Sequence, residues 1–206
     1  MARHGNRQDF VDPGWLSTAD EPYDPPLSVD GVEQARRLGQ RLAGEGIEAV
    51  VVSPFLRTIQ TAHHANESIG APIYIEPGFG EWLNDRHFAR LPRLRELDAL
   101  RVDYPLLAVG GYVAAHSQRW PETVEHLRER SQLALEALLE KFGGTLLVVS
   151  HAAAVGAMAL CDTDLESVEV PLCALFCLEH DGARWRLTLN SEVDHVGARL
   201  ATFRFG

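Results

Sequence analysis

Residues 47–62 read IEAVVVSPFLRTIQTA. The first six form a short, largely apolar and β-branched run, the pattern of a strand buried on both faces. Ser53-Pro54 then marks a helix start, with a hydroxyl suited to capping and a proline suited to the first turn. That helix is predicted to run through FLRTIQTAHHANESI to Gly70. The same order recurs late in the chain, where TLLVV (145–149) reads as a strand and His151 opens the next helix. Between and around these, Ser28 precedes a helical pattern of Val32, Ala35, Leu38 and Leu42, closed by Gly44 and Gly46. A short strand follows at 72–76, then a short helix near 91–101. A long amphipathic helix spans 122–142, with Val124, Leu127, Ala134, Leu135 and Leu138 on one face, and Gly143-Gly144 stops it. The tail reads as strands at 170–179 and 184–189 around a turn at His180-Asp181-Gly182.

Alternation of apolar strands with helices implies an α/β fold, with three α/β/α layers around a mostly parallel central sheet. No repeat or interdomain linker interrupts it, so the 206 residues are read as a single domain, 1–206. The segments at about 9–26 and 77–121 are the least regular.

Composition narrows the function classes. The chain carries 19 basic against 29 acidic residues, a formal charge of −10, which excludes a broad nucleic-acid or membrane-surface binder. Lys141 is the sole lysine; the other basic residues are arginine. Cys161, Cys173 and Cys177 are odd in number and lack the spacing of a disulfide framework, zinc motif or redox motif. No run approaches the ~18 apolar residues of a membrane helix, and MARHGNRQDF is no signal sequence. A reduced, cytoplasmic setting is expected.

In sheets of this kind the site lies beyond the carboxyl ends of the strands. The residues there are Arg3-His4-Gly5, Ser53 to Arg57, and Ser150-His151. Two histidines with two arginines make a poor metal site, because a guanidinium is no ligand and repels the ion. They make a good phosphate site: guanidinium groups hold phosphate oxygens through paired, charge-assisted hydrogen bonds, and a neutral imidazole can attack phosphorus. The adjacent pair His63-His64 lies inside a helix on different faces and is not expected to bind metal. Trp15 and Trp82 are candidates for the pocket mouth or for packing.

RHG at 3–5, SPFLRTIQTA at 53–62, a mid-chain acid and Ser150-His151 together resemble the histidine phosphatase superfamily, the fold of cofactor-dependent phosphoglycerate mutase. RHGNR (3–7), DPPLSVDG (24–31) and IEPGFGEW (75–82) are most similar to the ecdysteroid-phosphate phosphatase and "suppressor of T-cell receptor signalling" phosphatase domains. The resemblance covers residues 3 to about 160. It implies a metal-independent phosphomonoesterase without cofactor, in which His4 becomes a phosphohistidine. Arg3, Arg57 and His151 surround the phosphoryl group, and Arg7 matches a further phosphate-binding arginine. Glu81 is the implied general acid and base, although Glu76 and Asp85 lie nearby. The acid-phytase branch takes its acid from an aspartate after the late histidine; here that residue is Ala152.

Two alternatives stand beside this reading. A phosphoglycerate mutase-type phosphotransferase is disfavoured, because the Glu-Arg-x-Tyr-Gly segment of those mutases is missing. A non-catalytic binding domain of the same fold is the other. Only Met1 and Ala2 precede Arg3, where relatives carry more of the first, central strand. The first strand is therefore expected to be truncated, with the start assigned at an internal methionine. The expected partner is a phosphate monoester, its identity set by the 9–26 and 77–121 segments, and an edge strand within 170–189 leaves a homodimer open.

Overall fold

The computed structural model describes residues 1–108, 110, 112–114, 116–161 and 165–197. Residues 109, 111 and 115 of the 77–121 segment, and the last residues of the expected domain, 198–206, lie outside the described residues. Six strands form one sheet: β1 (Ala2–Arg3), β2 (Ile47–Val52), β3 (Ile73–Ile75), β4 (Thr145–Ser150), β5 (Leu175–His180) and β6 (Trp185–Glu192). The helices are α1 (Trp15–Thr18), α2 (Val29–Leu42), α3 (Leu56–Ile69), α4 (Leu97–Asp103), α5 (Val124–Lys141) and α6 (Ala152–Ala159). The strand order is β3-β2-β4-β1-β5-β6. β1, β2, β3 and β4 pair in parallel, while β5 runs antiparallel to β1 and β6 antiparallel to β5. The sheet is mostly parallel, as expected.

The two apolar faces of the sheet explain why its strands are continuously hydrophobic. Val50, Val52, Leu147 and Val149 point to one side and pack with Leu38 and Leu42 of α2 and Ile59, Ala62 and Ala65 of α3. Val51 and Val148 point to the other side and pack with Ala134, Leu135 and Leu138 of α5 and Val155, Met158 and Ala159 of α6. A side-chain period of two along each strand thus feeds two cores, giving the three-layer arrangement.

β1 is short. Its two residues pair with Val149 and Ser150 on one side and Leu175 on the other. The Met1 ammonium donates to the Phe176 carbonyl at 2.7 Å, and the Phe176 amide donates back to Met1 at 2.8 Å.

Three expectations need correction. Helix α3 begins at Leu56 rather than at Pro54, and the Ser53 hydroxyl does not cap it. The orphan amide of Leu56 instead donates to the Asp24 carboxylate at 2.8 Å, so a residue far upstream supplies the cap and frees Ser53 for another partner. The expected strand 170–179 is paired only from Leu175, since Cys173 takes a positive φ of 55° and breaks the extended run. The rings of His63 and His64 do not diverge: their centroids are 5.1 Å apart, and their ligand atoms lie within 4.8 Å of each other and of Glu67.

Helices α2 and α3 touch at backbone distance through Gly39. A Cβ there would lie 2.2 Å from the Ala65 carbonyl oxygen and 2.7 Å from the Ala65 Cα. Backbone atoms of a packed helix cannot swing aside, so the helices must separate to admit even a methyl group. Gly39→Ala is expected to destabilise the protein by about 1–3 kcal/mol, read as a lower urea midpoint.

Candidate active site

The carboxyl ends of β1, β2 and β4 lie side by side, and the turns that follow them converge. The amide of His4 donates to Ser150 O at 2.9 Å, that of Ser53 to Val149 O at 3.1 Å, and that of Glu76 to Val52 O at 2.8 Å. These bonds extend the ladder past the strand ends and fix where each loop departs. The turn after β1 is pressed against α2: a Cβ on Gly5 would meet Gly31 O at 2.6 Å, so both positions need glycine. Gly5 N donates to Thr61 Oγ1 (3.0 Å) and Asn6 N to Gln34 Oε1 (2.7 Å), tying the turn to α3 and α2.

Arg3, His4, Arg57 and His151 are buried together there. The His4 Nδ1 lies 2.7 Å from the Gly5 carbonyl oxygen. A carbonyl only accepts, so Nδ1 carries the proton and Nε2 keeps its lone pair. Burial and the charges of Arg57 and Arg3 hold the His4 pKa well below its ordinary value, so the ring is neutral. His151 sits edge-on to His4, with centroids 5.3 Å apart, and its Nε2 meets the Ser53 hydroxyl at 2.7 Å. Burial lowers the His151 pKa to about 4. Ser53, read from sequence as a cap, therefore serves as the partner of this histidine.

Glu81 faces the same point from the loop after β3. Its Oε2 is 3.2 Å from Arg57 Nη2 and 3.3 Å from His151 Nδ1. Burial alone would push its pKa up, but the attraction of His151 and Arg57 outweighs it and holds the carboxyl well below the usual range. The other acids considered are elsewhere: Glu76 is buried, accepting from Gly78 N at 2.6 Å and from the Tyr112 hydroxyl at 2.5 Å, and Asp85 is exposed. A ring nitrogen of His4, a carboxylate oxygen of Glu81 and a ring nitrogen of His151 lie within 4.8 Å of one another. That spacing would suit an ion, but the buried guanidinium of Arg57 touches the same carboxylate and offers repulsion instead of a ligand.

Arg3, Arg57 and Glu81 line one cavity of about 750 Å³, while His4, His151 and Ser53 are not among its lining. Arg7 lines it too, but its guanidinium is paired with both oxygens of Asp9 and lies 4.3 Å above the Phe10 ring. Trp82 is in the cavity wall, whereas Trp15 is not among its lining and donates to Pro22 O at 3.1 Å.

Two supporting elements escaped the sequence reading. Asp24 caps α3 and lies 3.8 Å from Arg57 Nη1. Arg130, in the middle of α5, is buried with Glu122 and grips both of its carboxylate oxygens at 2.6 and 2.9 Å. The same guanidinium donates to the carbonyls of Gly78, Gly80 and Glu81 at 2.7–3.0 Å. Glu122 N in turn donates to Leu83 O at 2.9 Å, and Trp82 Nε1 to Glu122 O at 2.9 Å. The backbone that carries Glu81 thus hangs from α5. An arginine inside an otherwise apolar helix face was the available signal; its partner, eight residues upstream, gave none.

The sequence model of the histidine phosphatase superfamily (branch 1) matches residues 1–192. The chain belongs to the histidine phosphatase superfamily. Within that superfamily it is similar to Ubiquitin-associated and SH3 domain-containing protein A of Mus musculus, at 31% identity over 75% of this chain. It is also similar to an ecdysteroid-phosphate phosphatase of Drosophila melanogaster, at 27% identity over 91% of this chain. The match spans 31% of the length of each of these two relatives. Among solved structures, the ecdysone phosphate phosphatase from Bombix mori in complex with tungstate has the same fold, with a TM-score of 0.71 at 24% identity. The superposition covers 90% of this chain and 89% of that one. Among the described residues, no helix is long and apolar enough to cross a membrane.

Two predictions follow from the supporting shell. Removing one partner of a buried ion pair leaves the other charge uncompensated, so Arg130→Met should cost about 3–5 kcal/mol in urea unfolding. Asp24 has its pKa raised to about 6, because burial outweighs the nearby Arg57. A raised carboxyl favours the fold at low pH: the contribution is complete below about pH 4 and is lost as pH rises through about 6. Asp24→Asn keeps an acceptor for Leu56 but removes the titration. Relative to wild type, the variant should gain about 3 kcal/mol between pH 4 and pH 7, measured by urea unfolding at both.

Proposed function

We propose that this chain is a phosphomonoesterase that works through a phosphohistidine on His4. The observation that carries this reading is a neutral imidazole beside buried, under-used donors. His4 Nδ1 is committed to the Gly5 carbonyl, leaving Nε2 as the nucleophile. Arg57 is 1% exposed, and among the described residues its Nε and Nη1 make no hydrogen bond. Buried donors of this kind are costly unless an acceptor arrives, and a phosphoryl group brings three oxygens.

In the proposed reaction, His4 Nε2 attacks phosphorus while the bond to the leaving oxygen breaks. Arg3, Arg57 and His151 stabilise the charge on the equatorial oxygens, with Arg7 at the edge of the cavity. Glu81 gives its proton to the leaving oxygen, then takes one from the water that hydrolyses the phosphohistidine. The unliganded site holds Glu81 ionised through Arg57 and His151. A phosphate dianion that engages Arg57 removes part of that attraction and adds a like charge, both of which raise the Glu81 pKa towards the acid role.

Ecdysteroid-phosphate phosphatases match 91% and 74% of this chain and a probable phosphoglycerate mutase 79%, so what weighs against a mutase is the missing Glu-Arg-x-Tyr-Gly segment. The domain reading of 1–206, a cytoplasmic setting, the absence of a metal or cofactor requirement and a specificity role for 9–26 and 77–121 belong to this proposal. Hydrolysis of para-nitrophenyl phosphate tests it. His4→Ala should lower kcat by at least about 10³-fold, and Glu81→Gln by about 10²–10⁴-fold. Rapid quench should trap acid-labile, alkali-stable phosphate on His4, and a chelator should leave the rate unchanged. No turnover by the folded protein would favour a binding domain instead.

A further inference from the structure

The carbonyl of Glu81 is held from two directions. Gln118 Nε2 donates to it at 2.8 Å and Arg130 Nη2 at 2.9 Å. The two bonds are not equivalent. Arg130 Nη2 carries two hydrogens and meets three oxygens, Gly80 O, Glu81 O and Glu122 Oε2, at 2.9–3.0 Å, so its hold on Glu81 is shared. Gln118 gives the same carbonyl a donor of its own. That carbonyl is coupled to the carboxylate of the same residue. The peptide unit joining Glu81 to Trp82 is planar, so holding its oxygen also fixes the direction of its N–H. The Trp82 N–H donates to Glu81 Oε1 at 3.0 Å, while Oε2 faces Arg57 and His151. The aim of the carboxylate therefore follows the orientation of one peptide plane.

Gly80 leads to the same place. Its φ of −67° and ψ of 170° suit any residue, so the backbone does not call for glycine. The Gln118 side chain does: a Cβ on Gly80 would lie 2.1 Å from Gln118 Cδ and 2.3 Å from both Nε2 and Oε1, its three nearest neighbours. The stretch that carries Gln118 is pinned on both sides. Upstream, the Tyr112 hydroxyl and the His116 amide donate to the buried Glu76 carboxylate at 2.5 and 3.4 Å. Downstream, Glu122 N donates to Leu83 O at 2.9 Å. Ser117 and Arg119 are exposed and Gln118 is half-buried, so Gln118 is the side chain of this run that turns to the loop.

We propose that Gln118 is a positioning residue for Glu81, acting through the peptide unit between Glu81 and Trp82, and that residue 80 is glycine in order to admit the Gln118 amide. The inference rests on the phosphomonoesterase reading above, in which Glu81 protonates the leaving oxygen. Gln118 touches no reacting atom. Without its bond the peptide plane is held only by the shared Arg130 donor, the carboxylate loses its fixed aim, and proton transfer to the leaving oxygen is what suffers.

The test compares phenyl phosphate, whose leaving oxygen needs the proton, with para-nitrophenyl phosphate, whose leaving group departs more readily without it. Gln118→Met keeps the length of the side chain and removes the donor. It should lower kcat/KM about tenfold for phenyl phosphate and less than about threefold for the nitrophenyl ester. Gly80→Ala should give the same pattern in the wild-type background and no further loss in Gln118→Ala, where the added methyl has room. An equal loss on both esters, no loss on either, or an additive effect of Gly80→Ala would overturn the proposal while leaving the phosphatase reading intact. If wild type hydrolyses neither ester, the phosphatase reading fails by itself. Carbon-13 NMR titration of the Glu81 carboxyl then decides the positioning. Gln118→Met should raise its pKa by about one pH unit, as the carboxylate leaves Arg57 and His151, and an unchanged titration overturns the proposal.

Discussion

The burial of Arg57 is the constraint around which the site is organised. A guanidinium taken out of water is expensive unless other groups replace its hydration. Here Glu81 lies at 3.2 Å and Asp24 at 3.8 Å, and the Phe55 ring lies 4.4 Å beneath. Each neighbour comes from a different part of the chain. Their convergence requires β2 to end at Val52, α3 to begin at Leu56, and the loop after β3 to return over the sheet. Burial and the nearby Arg7 lower the Arg57 pKa to about 10, which still leaves a full positive charge near neutrality. That charge adds to burial in keeping His4 neutral and joins His151 in keeping Glu81 ionised.

Local charge and bulk charge therefore separate in this protein. The net −10 is carried largely on exposed surfaces, where pairs such as Arg37–Glu33 within α2 and Arg41–Glu45 across its end contribute little. The arginines gathered at the strand ends, Arg3 and Arg57, have almost no exposure. Arginine count alone could not distinguish them, because Arg36 and Arg57 are the same letter on similar helical patterns. Position after a strand did distinguish them.

Much of the fold was legible for a physical reason. IEAVVV and TLLVV are apolar at every residue that faces a helix layer, and only a sheet covered on both sides accepts that pattern. Arg3, His4 and His151 were legible because each ends or directly follows a strand, and Arg57 because it opens the helix that leaves β2. Asp24 and Arg130 were not, since their meaning lies in partners brought near by the fold: a helix amide far along the chain, and three carbonyls of a loop. Ser53 was misread for a similar reason. Its hydroxyl had a local use as a cap and a distant one at His151, and the distant partner won because Asp24 had already satisfied the helix amide.

The clamp between Arg130 and Glu122 has a consequence for how such a chain can change. Residues 84–121 depart just after Leu83 and return at Glu122, and those two ends are hydrogen-bonded to each other. The excursion is closed at its neck, and it is tied down again inside: Gln118 donates to the Glu81 carbonyl at 2.8 Å, and Leu100, Tyr104 and Leu107 pack in the core beside α3. Lengthening a closed loop costs only slowly more conformational entropy. Insertions can therefore enter between the anchored points, as near the exposed Leu91, while Leu100, Leu107 and Gln118 stay where the core and the Glu81 carbonyl hold them.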